Sequence, residues 1–169
     1  MIALWRLSNS QDLQPRARPA GRWHGAGAPV VVLDANPAAA VFARLALSEV
    51  GHPRALPSHY FLLEVMAPDH AVSDADPPLH WETDLPGTRA VGDAWLARGD
   101  TLLLRVPSPA GGFQYLLNAA HPQLAQCQIV SSAAYPYAPH LAGIADAVMD
   151  GAGWLVAAGR EGGRDSGRD

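Results

Sequence analysis

The sequence predicts an α+β domain rather than a helical bundle. Apolar, partly β-branched runs of strand length recur along the chain, at residues 2–7 (IALWRL), 30–33 (VVVL), 60–66 (YFLLEVM) and 101–106 (TLLLRV). Stretches with helical spacing fall between some of them, and 16 glycines and 15 prolines interrupt the chain often enough to make it loop-rich. At 169 residues and 49% hydrophobic, it is long enough for one domain with a real core. We expect that domain to span residues 1–158.

Taken in order, residues 2–7 form a first strand that carries Arg6 between Trp5 and Leu7. Residues 9–20 are polar, contain Pro15 and Pro19, and read as a surface loop holding Arg16 and Arg18. The run 30–33 is a buried strand. Asn36 then stands where a helix N-cap belongs, with Pro37 at the first helical position, so a helix is expected from Pro37 to about Val50. Its Val41, Phe42, Leu45 and Ala46 share helical spacing and should face the sheet. Gly51 and Pro53 end it.

Residues 60–66 are a further strand, closed by Pro68. The Pro- and Asp-rich stretch 70–88, with His80 and Trp81, reads as a long surface excursion. A short helix is expected over 88–97, then a turn at Gly99, then the strand 101–106. Residues 107–112 (PSPAGG) leave that strand as a loop and lead through Phe113 to Leu116, Leu117 and Asn118. Residues 126–131 form a late strand. A loose, glycine-interrupted helix over 142–158 and a disordered polar tail, GREGGRDSGRD, complete the chain.

Charge and cysteine usage narrow the class. A formal net charge of -4 with no run of Lys or Arg argues against a nucleic-acid-binding surface. A single cysteine, Cys127, suits a reducing compartment. No apolar stretch approaches the roughly 18 to 20 residues of a membrane span. The first ten residues lack the cationic start of a signal peptide, so a cytoplasmic protein is the expectation.

The chemistry is most concentrated in Gly21-Arg22-Trp23-His24-Gly25-Ala26-Gly27, directly ahead of the strand 30–33. Glycines allow a close backbone approach, and Arg22 offers a planar fork suited to phosphate or carboxylate. No metal site is expected: the seven histidines are scattered, and there is no HExxH. Ser108 lies in VPSPAGG, not in a nucleophile elbow, and neither a dinucleotide fingerprint nor a Walker loop is present. Arg22, His24, Ser108, Asn118 and His121 remain, all near strand ends, where polar groups can line a pocket for a small polar ligand.

The order of short motifs adds a resemblance. Leu4-Trp5-Arg6 opens the chain, followed by Gly21-Arg22-Trp23-His24, Pro29-Val30-Val31 and Asn36-Pro37-Ala38. Then come Leu62-Leu63-Glu64-Val65, Gly92-Asp93-Ala94-Trp95-Leu96, Leu103-Leu104-Arg105-Val106-Pro107-Ser108, and Leu117-Asn118 with His121-Pro122. In these the chain resembles the RES-domain family, which supplies the toxins of RES–Xre toxin–antitoxin modules. The resemblance covers about residues 2–141. It implies an ADP-ribosyltransferase-like fold, a small mixed β-sheet core with flanking helices, and NAD held in a cleft of the sheet. It also implies NAD degradation and an Xre-like helix-turn-helix antitoxin as partner. Arg22 matches the family's pyrophosphate-gripping Arg and Ser108 its pocket Ser, while His24 and Asn118 are supporting polar groups.

The departures from the family pattern fall on two positions. Counted without gaps from Arg22, the family's Tyr falls on Val32 and its helical Glu on Ala43. A gapped alignment would bring Glu49 to the Glu position. Six residues are about 600° of helix, so Glu49 cannot point where residue 43 points. We take the ungapped register. Asp34, two residues beyond Val32 and on the same strand face, is the nearby carboxylate that could substitute. The family's closing Asp-x-Arg is also missing, with Ala138 and His140 near that place. Two functions stay open at this point: an NAD-cleaving protein with a partly eroded catalytic set, or an inactive module that pairs with an antitoxin or binds a nucleotide.

Overall fold

The computed structural model describes residues 1–47, 60–109 and 111–135. The expected helix at 142–158, the tail, Glu49, Ala138 and His140 lie outside the described residues.

Seven strands form one mixed sheet, and the α+β expectation holds. They are β1 (Ile2–Ser8), β2 (Val30–Asp34), β3 (Tyr60–Ala67), β4 (Val72–Asp74), β5 (Leu103–Pro107), β6 (Phe113–Asn118) and β7 (Gln128–Tyr135), in the spatial order β4-β5-β6-β2-β1-β3-β7. Every neighbouring pair is antiparallel except β4–β5. The helices are α1 (Pro37–Leu47) and α2 (Leu85–Arg98).

Period-two alternation divides the core between the two faces of the sheet. Val31, Leu33, Val65, Leu103 and Leu117 join one buried cluster with Leu4. Val30, Leu104, Val106 and Leu116 join a second one with Trp23 and with Trp95 of α2. The candidate site lies on this second face.

Both helices begin where side-chain chemistry allows. The Asn36 carboxamide oxygen accepts from the Ala39 amide at 2.9 Å, the N-cap bond expected ahead of Pro37. α1 packs against β1 and β2. Its facing differs from the expectation at Phe42, which is 56% exposed, whereas Ala40 is buried. Two residues are about 200° of helix, so a phase that aims Ala40 at the sheet turns Phe42 away from it.

α2 starts three residues earlier than expected. The Asp84 carboxylate accepts from the Gly87 amide at 2.9 Å, and a proline is tolerated in a first turn, where its missing N–H costs nothing. Gly99 ends the helix in the left-handed conformation at φ 63°, as a glycine after a last turn should.

Three further differences have local causes. β5 begins at Leu103, where pairing with both β4 and β6 begins, and Thr101 ahead of it accepts from Trp95 Nε1 at 3.0 Å and shares a 2.8 Å hydroxyl bond with Ser73. β6, read from sequence as a lead-in, is a central strand paired with both β2 and β5. The 70–88 excursion contains the short edge strand β4 and also brings Trp81 onto the second core cluster. Among the described residues no helix is long and apolar enough to cross a membrane.

Candidate functional site

A cleft of about 690 Å³ opens on the second face of the sheet. That size lies within the range of small-molecule sites. β2 supplies its floor: Val30, Val32 and Asp34 line the cleft, while the intervening Val31 and Leu33 turn into the opposite core. α1 adds Ala40 and Ala43 to the wall, and the loop after β5 adds Ser108.

Arg22 reaches the cleft from a loop that α2 holds in place. The Thr88 hydroxyl donates to the Arg22 carbonyl at 2.7 Å, and Arg89 Nε donates to the Gly21 carbonyl at 2.8 Å. The Asp93 carboxylate accepts from the Gly25 amide at 2.8 Å. Gly92 faces the Trp23 carbonyl so closely that any Cβ there would overlap it. Residues 88, 89, 92 and 93 lie on one helical face, and that face grips the loop. Between the grips, Trp23 is buried and stacks on Trp81 with ring centroids 5.7 Å apart.

The Arg22 side chain is oriented by backbone oxygens. Its Nη1 donates to the carbonyls of Trp81 and Glu82 at 3.2 and 2.9 Å, and its guanidinium lies 5.8 Å from the Trp81 ring centroid. A guanidinium carries five N–H donors, so Nη2 and Nε keep theirs for a ligand.

His24 also lines the cleft and is buried. Its Nδ1 donates to the Gly25 carbonyl at 3.0 Å. Ser108 is buried at the first position beyond β5, where its amide donates to the Gly112 carbonyl and its own carbonyl accepts from Gly111. The structure thus brings Arg22, His24 and Ser108 to one cleft. Asn118 is not brought to them: it ends β6, where its side-chain oxygen accepts from the Ala120 amide at 3.0 Å, and it does not line the cleft. His121 is likewise occupied in the turn that follows, with Nδ1 accepting from the Gln123 amide.

The two positions where the ungapped register departs from the family pattern, Val32 and Ala43, both line this cleft. So does Asp34, which is only 4% exposed. Gln114 Nε2 donates to its carboxylate at 3.0 Å, across a β2–β6 pair in direct register. Burial holds the Asp34 pKa above the ordinary carboxylate range, and the Gln114 bond opposes that shift.

Sequence reasoning missed the cationic side of the cleft. Arg6, Arg18 and Arg44 line it together with Arg22, against the single carboxylate of Asp34 among the described lining residues. Four cations to one anion suit a negatively charged ligand. The sequence carried one usable signal, a charged residue inside the apolar run IALWRL, because a buried charge needs a partner. Arg18 carried none, since it sits in a loop that reads as surface, and Arg44 carried none, since a lone arginine in an amphipathic helix reads as part of its solvated side. Among the described residues no group of three or more His, Cys, Asp or Glu side chains is placed to hold a metal ion.

Comparison with known proteins agrees with this architecture. The family model described as the RES domain matches residues 3–139. A curated relative named Toxin Res, from Pseudomonas putida, is 36% identical, with 76% of this chain and 92% of the relative covered. The toxin–antitoxin complex MbcT-MbcA of M. tuberculosis contains a chain that superposes with a TM-score of 0.66 at 20% identity, covering 86% of this chain and 89% of that one. That likeness shows the fold, a mixed sheet with flanking helices.

Proposed function

Because the chain belongs to the RES domain family, we propose that it is the toxin of a toxin–antitoxin pair, that it takes NAD into the cleft described above, and that it cleaves the nicotinamide–ribose bond. One observation carries this reading: Arg22, His24 and Ser108, distant in sequence, converge on a cleft whose floor holds the buried carboxylate of Asp34.

Each group has a chemical task in this reading. The free donors of Arg22 hold the pyrophosphate, and the carbonyls of Trp81 and Glu82 fix the direction of its fork. His24 and Ser108 are polar contacts within the nucleotide pocket. As the C–N bond breaks, its electron pair leaves with nicotinamide and positive charge develops on the ribose. A carboxylate in a poorly solvated site stabilises that charge more than it would in water. Asp34 takes this task in the absence of a carboxylate at Ala43, and the cationic ribose in turn favours its ionised form. The bond is then completed by an acceptor: water, phosphate or a protein group.

The test is incubation of the purified protein with NAD, reading nicotinamide release. Arg22→Ala is expected to lower kcat/KM by about tenfold to a hundredfold, the scale of a lost charged hydrogen-bond partner. Release that is unaltered by Arg22→Ala overturns the reading.

A second reading has its own support. Val32 and Ala43 give the cleft apolar walls where the family pattern has a hydroxyl and a carboxylate, which favours a binding module that holds a nucleotide without turning it over. NAD binding with no nicotinamide release at high protein concentration selects this module. In either case the named toxin relatives support an antitoxin partner, and an Xre-like protein should co-purify as a stable complex.

A further inference from the structure

We propose that Gln114 is a positioning residue for the cleavage proposed above: its carboxamide keeps the Asp34 carboxylate ionised and turned so that one oxygen faces the developing ribose cation. The inference rests on that reading and adds to it a side chain whose own atoms take no part in the bond that breaks.

Strand pairing places the residue. Gln114 lies on β6 with Asp34 directly opposite on β2 and Val106 opposite on β5, so its backbone is held from both sides. Its neighbour Tyr115 packs against the first core cluster. Alternation therefore turns Gln114 to the second face, where it lines the cleft. Directly opposed residues have Cβ atoms about 4.5 to 5.5 Å apart, close enough for the longer side chain to bond the shorter one.

The bond engages one carboxylate oxygen. Gln114 Nε2 donates to Asp34 Oδ1 at 3.0 Å, and among the described residues nothing bonds Oδ2. Tying one oxygen to the neighbouring strand fixes the rotation of the carboxylate and leaves the other oxygen to the cleft. Burial is the larger influence on the Asp34 proton and raises its pKa; the Gln114 bond lowers it, because a donor favours the charged form.

The kind of donor matters. Arg18, Arg22 and His24 reach the same cleft from the loop ahead of β2, Arg6 from β1 and Arg44 from α1. Among the described residues none of these groups is bonded to Asp34. A cation bonded there would neutralise the carboxylate before the ribose charge appears. A carboxamide donates a hydrogen bond without a charge, so Asp34 keeps its own for the transition state.

Two measurements on the intact protein test the role. The first is the pH profile of nicotinamide release from NAD. Gln114→Met, an unbranched apolar side chain of similar length, should lower kcat by about tenfold with KM within about twofold of wild type. Its acid limb should move to higher pH. The second needs no NAD: the Asp34 carboxyl carbon is titrated by nuclear magnetic resonance, its signal assigned by its loss in Asp34→Asn. In Gln114→Met that carboxyl should hold its proton about tenfold more tightly. Gln114→Lys is the second variant, and it carries the comparison if Gln114→Met does not fold. Its cation should move both the titration and the acid limb to lower pH without restoring kcat, because it neutralises the carboxylate.

A merely structural glutamine would lower the rate equally at every pH. If wild type releases nicotinamide, an unmoved acid limb or an unmoved Asp34 titration in a folded variant overturns the role of Gln114 and leaves the cleavage reading standing. If wild type releases none, the cleavage reading fails, and the role of Gln114 falls with it whatever the titration gives.

Discussion

Under the proposed NAD cleavage, Asp34→Asn is expected to slow nicotinamide release by about 10² to 10⁴, the scale for losing a positioned charge-stabilising group, and, whether or not NAD is cleaved, to make the protein more stable at neutral pH. The two effects have one cause. Burial raises the Asp34 pKa in the folded state, so the folded protein holds that proton more tightly than the unfolded chain does. The favourable contribution of the protonated form is fully present below the unfolded value, near 4. It is lost as pH rises through the higher folded value, and above that the burial of the charge opposes folding. Asparagine keeps the shape, and its side-chain oxygen can still accept from Gln114 Nε2. Its stability advantage over wild type should therefore be small at pH 3 and grow as pH rises towards neutrality. Thermal melts across that range check the stability half, and the nicotinamide assay checks the rate half. A variant that is as active as wild type removes Asp34 from the chemistry; one that is less stable at neutral pH contradicts the account of its burial.

Gly92→Ala should cost about 3 kcal/mol of stability, towards the upper part of what overpacking a fitted contact usually costs. A helix interior ordinarily predicts the opposite, a gain of about 1 kcal/mol from replacing glycine with alanine. The sign reverses here because the added Cβ would meet the backbone carbonyl of Trp23, which cannot rotate aside as a side chain can. The helix and the loop would have to separate, and the bonds from Thr88 and Asp93 run across the same contact. Urea unfolding measures the loss. Stability equal to or above wild type would mean that the loop yields without cost, and would sink the claim that α2 fixes Arg22.

Elements with strong local signals were legible in the sequence. Asn36-Pro37 marks a helix start by capping chemistry alone, and the runs in β1, β2 and β3 have strand composition and length. β6 was missed as a strand because FQYLLN is short and reads as the end of a glycine-rich loop; its identity comes from β2 and β5 pairing on either side of it. β4 was missed for the same reason, as three residues in a stretch dominated by proline and aspartate.

For the site, the order of motifs led to Arg22, His24 and Ser108, and the structure gathers all three. The same signal promoted Asn118, whose side chain the structure uses to close a turn. Asp34 was reached by strand alternation from Val32, a local rule that survives folding. The cluster of Arg6, Arg18 and Arg44 was out of reach, because it joins a strand, a loop and a helix that only the tertiary fold brings together.

The stacked indoles of Trp23 and Trp81 have a practical consequence. Arg22 links the cleft to this pair, since its Nη1 is bonded to the backbone oxygens of Trp81 and Glu82 while its own residue adjoins Trp23. A charged ligand on the free donors of this guanidinium sits close to the Trp81 ring, whose centroid is 5.8 Å from the guanidinium carbon, and Trp81 is stacked on Trp23. Occupancy of the cleft is thereby coupled to the electronic environment of two native chromophores, and near-ultraviolet dichroism or tryptophan emission can follow it without a label.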